Sequence, residues 1–239
     1  AQYELSVLNS HKYANSLKER IKFNPNWAVE LALEYSDAGF FDEASDILNM
    51  HWEGSDAAKV NPMIFYYLAY FAMKARRRED AGYFRALAVK ADRGHCFPHR
   101  LEDLLVLQAS LEAVPNDAKG WYYLGNLLFD KRQYEDAIVA WEKSRTLDNS
   151  FPTVHRNLSL AYYNKRGESE RAREEMETAY ALDTSDARGL MELDQLYKRI
   201  GIQPQLRLKA LTAHMDIVSK RDDLFIEYIT LNNMVGKNR

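Results

Sequence analysis

One stretch of the chain, from Asp117 to Leu147, has the spacing of a helix–turn–helix unit. It reads DAKGWYYLGNLLFDKRQYEDAIVAWEKSRTL. Helical spacing places one set of residues on one face of a first helix: Trp121, Leu124, Gly125 and Leu128. It places a second set on one face of a second helix: Ala137, Trp141 and Ser144. A unit of roughly 34 residues such as this cannot bury its apolar face alone, so neighbouring units must stack against it. The pattern therefore predicts a helical array for the whole chain.

The spacing resembles the tetratricopeptide repeat (TPR), whose pattern is W-x2-L-G-x2-Y followed by A-x3-F. The resemblance implies an all-α fold, a right-handed α-solenoid of TPR helix–turn–helix repeats with capping helices. It also implies a surface that binds rather than reacts. The function predicted from it is a non-catalytic protein–protein interaction scaffold, and no enzyme activity is expected.

Weaker copies of the pattern extend the array in both directions, and a single domain over 1–239 is expected. Its predicted parts are repeats near 25–58, 62–94, 118–151, 152–186 and 187–220, an irregular helix 98–114, and capping helices 3–22 and 222–235. Ala137 and Ala172 lie 35 residues apart, one more than the ideal period, and the turn 165–169 can absorb the extra residue. In the last repeat, Asp194 and Leu206 replace small residues where two helices cross. Asp194 is therefore expected to be partly buried beside a hydrogen-bonding or basic partner.

Composition excludes several classes of function. The net charge of −3 and the lack of basic stretches interleaved with aromatic residues argue against nucleic-acid binding. The sequence contains no apolar run of about 18 residues, which is the length that a membrane span needs. His95, Cys96 and His99 group three possible metal ligands, but the chain offers no second pair, so no metal and no cofactor are predicted. Cys96 is the single cysteine, which leaves the compartment open, with a cytoplasmic location favoured.

Four segments carry a further resemblance: YYLGNLLFDKRQYEDAI, SFPTVHRNLSLAYYNKR, DARGLMELDQLYKR and KRDDLFIEYITLNN. They resemble the C-terminal part of a bacterial family of unknown function, in which a repeat array follows a large β-rich domain of the sugar-binding mutarotase type. The resemblance implies that this chain is the helical part of a longer protein. The alternative function is then that of a helical accessory module in a carbohydrate-active or sugar-binding bacterial protein.

In TPR arrays the first helix of each repeat lines a concave groove, so the resemblance also implies which side chains meet a partner. The groove positions are Tyr66, Tyr70, Met73, Tyr122, Asn126, Phe129, Asp130, Arg156, Asn157, Tyr163, Asn164, Arg188, Gln195, Lys198 and Arg199. Aromatic and arginine side chains are the anchors that interfaces favour. The alternative is that the tyrosines pack between helices and the arginines are solvated.

Some TPR proteins hold the C-terminal carboxylate of a peptide with a clamp of Lys, Asn and Arg side chains. Asn126, Asn157, Arg156 and Arg199 resemble part of that clamp, but Tyr122 occupies the place of its first lysine. The expected partner is a protein, a peptide or an upstream domain of the same protein. Pairing of exposed terminal helices into a homodimer is a further possibility.

Overall fold

The computed structural model describes residues 19–22, 24–92, 94 and 96–236, and every regular element within these ranges is a helix. The predicted all-α fold is therefore confirmed. The chain divides into two compact units, Ala1–Lys131 and Arg132–Arg239. The single array over 1–239 and its repeat boundaries stay predictions. The capping helix expected over 3–22 lies outside the described residues, apart from 19–22, which are helical.

Unit 1 consists of helices that pack largely as hairpins. They are α1 (Pro25–Asp37), α2 (Phe41–Trp52), α3 (Pro62–Lys74), α4 (Arg78–Lys90), α5 (Leu101–Ala113) and α6 (Ala118–Asp130), with a short 3-10 helix at Ala57–Lys59. Helix α1 packs on α2 and α3 packs on α4, while α3 also contacts α2 and α5. Asn24 and Asn61 cap α1 and α3, and each cap precedes a proline at the first helical turn. These two sequence signals fix where the hairpins begin.

Helix α3 is buried around most of its circumference, because neighbouring helices cover several of its sides. Its tyrosines nevertheless bring hydroxyl groups into the core. Tyr66 donates a hydrogen bond of 2.7 Å to Asp117, and Tyr67 donates one of 2.6 Å to Asp103. Asp117 also accepts from the N–H of Gly120 at the start of α6. These buried carboxylates therefore satisfy the tyrosines and anchor the neighbouring helices at the same time.

The irregular helix expected over 98–114 begins later than predicted, at Leu101. The reason is Asp103, whose side chain accepts the backbone N–H groups of two residues just before the helix. The leucines along this helix differ in burial. Leu107 and Leu111 are buried, because α5 packs against α3 and α6, whereas Leu101 and Leu105 are exposed.

The described helices of unit 2 differ in length, and the last of them, with 15 residues, is the longest. They are α7 (Tyr134–Leu147), α8 (Pro152–Ala161), α9 (Ser169–Leu182), α10 (Ala187–Arg199), α11 (Pro204–Thr212), α12 (Met215–Val218) and α13 (Asp222–Gly236). Helix α8 packs against both α7 and α9, α9 packs against α10, and α13 packs against α11 and α12. Helix α13 occupies the segment where a capping helix over 222–235 was expected.

The extra residue between Ala137 and Ala172 is accommodated at the end of α8. There the helix continues as a π-helical turn over Tyr162–Arg166, and a π turn holds one residue more than an α turn. Gly167 follows with φ of +68° and reverses the chain into α9. This left-handed conformation favours glycine, which lacks a Cβ. The segment overlaps the turn that the sequence predicted over 165–169.

Asp194 is buried, with 4% of its surface exposed, and it has the basic partner that was expected. Arg207 on α11 donates two hydrogen bonds to its carboxylate, of 3.0 and 2.6 Å, and a further one of 2.6 Å to Glu227 on α13. The expectation for Leu206 is wrong, because its side chain is exposed. Its neighbour Arg207 is buried instead and donates to Asp194.

Candidate functional site

Most of the predicted groove positions of unit 2 lie on α8 and α10, and an arginine–glutamate bridge joins these two helices. Arg156 on α8 donates two hydrogen bonds to the carboxylate of Glu192 on α10, one of them 2.6 Å long. Arg188 donates to the same carboxylate at 2.9 Å from one helical turn away. Burial raises the pKa of Glu192, but the hydrogen bonds from both arginines outweigh burial and hold the pKa below the usual glutamate range. The bridge thus fixes α8 relative to α10.

The second half of α10 presents exposed polar side chains. Gln195, Lys198 and Arg199 are exposed, and Lys198 donates to Glu227 at 3.0 Å. Arg199 forms no ion pair within the described part of the chain. This end of the helix can therefore offer a guanidinium to an incoming carboxylate.

A cleft of about 290 Å³ opens beside Arg156. Its walls come from the start of α8, the end of α9 and the start of α10. Apolar atoms are supplied by Phe151, Met176 and Tyr180, and Gly189 lies on the α10 side. These apolar walls allow the cleft to accept an apolar group of moderate size.

The remaining groove positions of unit 2 are only partly accessible. Asn157 and Tyr163 are half-buried, and the exposed Asn164 donates its side-chain amide to the carbonyl of Leu160 at 2.8 Å. Asn157 also has interaction partners within the structure. It therefore lies on the predicted face, but part of its hydrogen-bonding capacity is already used.

In unit 1 the structure brings fewer predicted positions to the surface. Tyr66 and Tyr122 are buried, so they contribute to packing and offer no exposed ring to a partner. Their inclusion among exposed groove residues needs correction, and the physical reason is the dense covering of α3 and of the inner side of α6. Other positions are more open: Tyr70, Asn126 and Phe129 are half-buried, and Met73 and Asp130 are exposed.

Glu192 was not singled out from the sequence, although it organises the charged face of unit 2. The signal was present, because Arg188 and Glu192 lie four residues apart on one helix, a spacing that favours ion pairs. The contact from Arg156 is 36 residues away in sequence and needs the folded chain. The cleft beside Arg156 has no comparable signal, since its walls come from three helices.

The described residues also bear on metal binding and on membrane insertion. No group of three or more His, Cys, Asp or Glu side chains there could hold a metal ion. Of the three possible metal ligands named above, His95 lies outside the described residues, and Cys96 is buried. None of the described helices combines the length and apolar character needed to cross a membrane.

The paired helices of the two units identify this chain as a helical-repeat protein. Family models agree: one described as TPR repeat matches residues 125–165, and one described as Tetratricopeptide repeat matches residues 106–139. TPR repeats are therefore present in this chain. Proteins built from such repeats generally mediate protein–protein interactions and are typically non-catalytic.

The chain is similar to several bacterial proteins. Cytochrome c-type biogenesis protein CycH of Pseudomonas aeruginosa is 31% identical over 71 residues, which are 29% of this chain and 17% of that protein's length. Two solved structures are also similar. MamA from Desulfovibrio magneticus RS-1 has 17% identity and a TM-score of 0.46, covering 82% of this chain and 96% of that one. A thermophilic TPR protein of Thermus thermophilus, TTC0263, has 16% identity and a TM-score of 0.44, covering 87% and 98%.

None of these matches supports the upstream mutarotase-type domain or the carbohydrate-related alternative.

Proposed function

We propose that this chain is a non-catalytic scaffold that binds a partner protein through the face formed by α8 and α10 of unit 2. The observation that carries the proposal is the bridge from Arg156 to Glu192. This bridge holds two predicted groove helices together, and the opposite charges of the two residues neutralise each other. Ligand contacts then fall to the exposed side chains around it and to the adjacent cleft.

The chemistry of this face describes the ligand. Gly189, at the cleft, and Arg199 are ten residues apart on α10, which corresponds to about 15 Å along a helix. An extended peptide of about five residues spans that length. Such a peptide would place an apolar side chain in the cleft and a carboxylate beside Arg199. Another protein or a neighbouring domain of the same polypeptide can supply the peptide.

A photo-crosslinking residue in place of Gln195 tests the proposal in the native cell. The matched control places the same residue at Glu174, which is exposed on α9. We expect a discrete covalent adduct from position 195 that position 174 does not give. The adduct identifies the partner for a binding measurement with purified proteins.

The binding measurement compares two charge reversals: Arg199→Glu on the proposed face, and Lys143→Glu at an exposed position of α7. We expect Arg199→Glu to weaken binding at least about tenfold, because it replaces an attraction to the ligand's carboxylate with a repulsion. Lys143→Glu should leave binding unchanged. Equal affinities for both variants would contradict the proposal.

A further inference from the structure

Helix α13 of unit 2 has an apolar outer face. Its Leu224 and Leu231 are buried on the side that packs against α11 and α12. On the opposite side Phe225, Ile226 and Ile229 are 41%, 63% and 44% exposed. A helix that caps a repeat array needs a polar outer face to remain soluble. The outer face of α13 resembles that of an internal helix, whose apolar side chains are covered by a neighbour.

Between Leu224 and Gly236 the same face carries no exposed charged side chain. After Asp223, the exposed residues of α13 are Phe225, Ile226, Ile229, Thr230, Asn232, Asn233, Met234 and Gly236. The one carboxylate in this stretch, Glu227, is half-buried and bound by Arg207 and Lys198. Depletion of charge around large apolar side chains is typical of the core of an interface, whereas solvated helices carry mixed charges.

We propose that this face binds the same face of a second copy of the chain, with the two α13 helices antiparallel. Asp222, Ile226, Ile229 and Asn233 follow one another at intervals of four, three and four residues, which forms one continuous seam on a helix. When the seam is paired with itself in the antiparallel direction, Ile226 of one copy faces Ile229 of the other, twice. Asp222 then faces Asn233, whose amide can donate a hydrogen bond to the carboxylate.

The charges select this direction over the parallel one. A parallel pair sets Asp222 against Asp222 of the second copy, and like charges at close range repel each other. It also aligns the two helix dipoles, whereas the antiparallel pair opposes them. The occupant that fits both the apolar centre and the polar ends is therefore the seam itself. This contact lies on α13 and is independent of the proposed groove on α8 and α10.

The contact is short, because α13 of 15 residues is about 22 Å long. The interface is therefore at the small end of specific interfaces, and we expect a reversible, concentration-dependent dimer. Sedimentation equilibrium of the whole chain, from about 5 µM to about 500 µM, should show a monomer at the low end and a dimer at the high end. A monomer throughout this range would overturn the proposal.

Two substitutions locate the contact. Ile226→Glu and Ile229→Glu each place a charge in the seam and should weaken dimerisation at least about tenfold. The control, Val139→Glu, replaces a side chain of similar exposure on α7 and should leave the dimer intact. Circular dichroism at 222 nm checks that all three variants fold. Dimerisation that survives both seam substitutions would also overturn the proposal.

Cysteine pairing determines the direction. In the antiparallel arrangement, a chain with Ile226→Cys should form a disulfide with a chain that carries Ile229→Cys, and each variant alone should cross-link much less. In a parallel arrangement each variant would cross-link with itself, and that result would refute the antiparallel seam. The native Cys96 gives little background, because only 2% of its surface is exposed.

Discussion

The buried pair of Asp194 and Arg207 should carry a large share of the stability of unit 2. We consider Asp194→Asn, which keeps the size of the side chain and removes its charge. The guanidinium now donates two hydrogen bonds to the carboxylate, at 3.0 and 2.6 Å, and both residues are 4% exposed. The amide can accept one of these bonds and turns an N–H group toward the other donor. The loss of one charge-assisted bond at a buried site predicts a decrease in the free energy of unfolding of about 2–3 kcal/mol.

A matched control uses the same substitution at a different depth. Asp223 also accepts two hydrogen bonds from an arginine, Arg221, of 3.0 and 2.7 Å, but this pair lies at the surface. Solvent screens such pairs, so Asp223→Asn should cost far less than Asp194→Asn. The comparison therefore isolates burial from the chemistry of the pair.

The assay is urea-induced unfolding followed by circular dichroism at 222 nm, with hydrogen exchange to locate the change. For Asp194→Asn we expect a lower midpoint and faster exchange in α10, α11 and α13, which Arg207 connects through Glu227. Raising the salt concentration should reduce the effect of Asp223→Asn more than that of Asp194→Asn, because buried charges are screened less. If the two substitutions cost the same, the argument from burial is wrong.

Three further predictions concern other buried groups. Tyr67→Phe removes the hydroxyl that donates to Asp103 and should cost about 1–3 kcal/mol in urea unfolding, whereas Tyr83→Phe, on an exposed tyrosine, should cost almost nothing. Burial raises the pKa of the Cys96 thiol to about 12, so in the folded chain at pH 8 it should resist a thiol-specific reagent and react only after urea is added. The pKa of Glu192 is lower in the folded chain than in the unfolded one, because its two arginine partners outweigh burial. The stability it contributes is therefore present above the unfolded pKa and lost as the pH falls through the glutamate range, and Glu192→Gln should flatten that part of the unfolding profile.

Much of the local structure follows from sequence signals. Pro25 and Pro62, each preceded by a capping asparagine, start α1 and α3. The one-residue excess in the repeat spacing announced an irregular turn, which the structure places at Tyr162–Arg166. Asp194 drew attention because a charged residue where helices cross needs a partner. The helix starts depend on residues that are neighbours in sequence, and the other two inferences depend on the repeat spacing.

Less of the candidate site could be predicted from the sequence. Spacing placed Arg156 and Arg199 on one predicted face, but it could not show that Arg156 is engaged by Glu192 from the next repeat. The same spacing assigned Tyr66 and Tyr122 to the groove, where burial removes them. Helical periodicity gives the side of the helix on which a residue lies, and it does not tell how many neighbours cover that side.

The sequence by itself determined that this chain forms paired helices and where several of them begin, because caps, prolines and apolar spacing act within one or two turns. The tertiary structure alone decided that Arg207 and not Leu206 points inward, and that Leu101 and Leu105 face solvent. The tertiary structure also decided that one apolar side of α13 is exposed. The physical reason is the same in each case: burial is a property of the neighbours that a side chain meets, and those neighbours come from other parts of the chain.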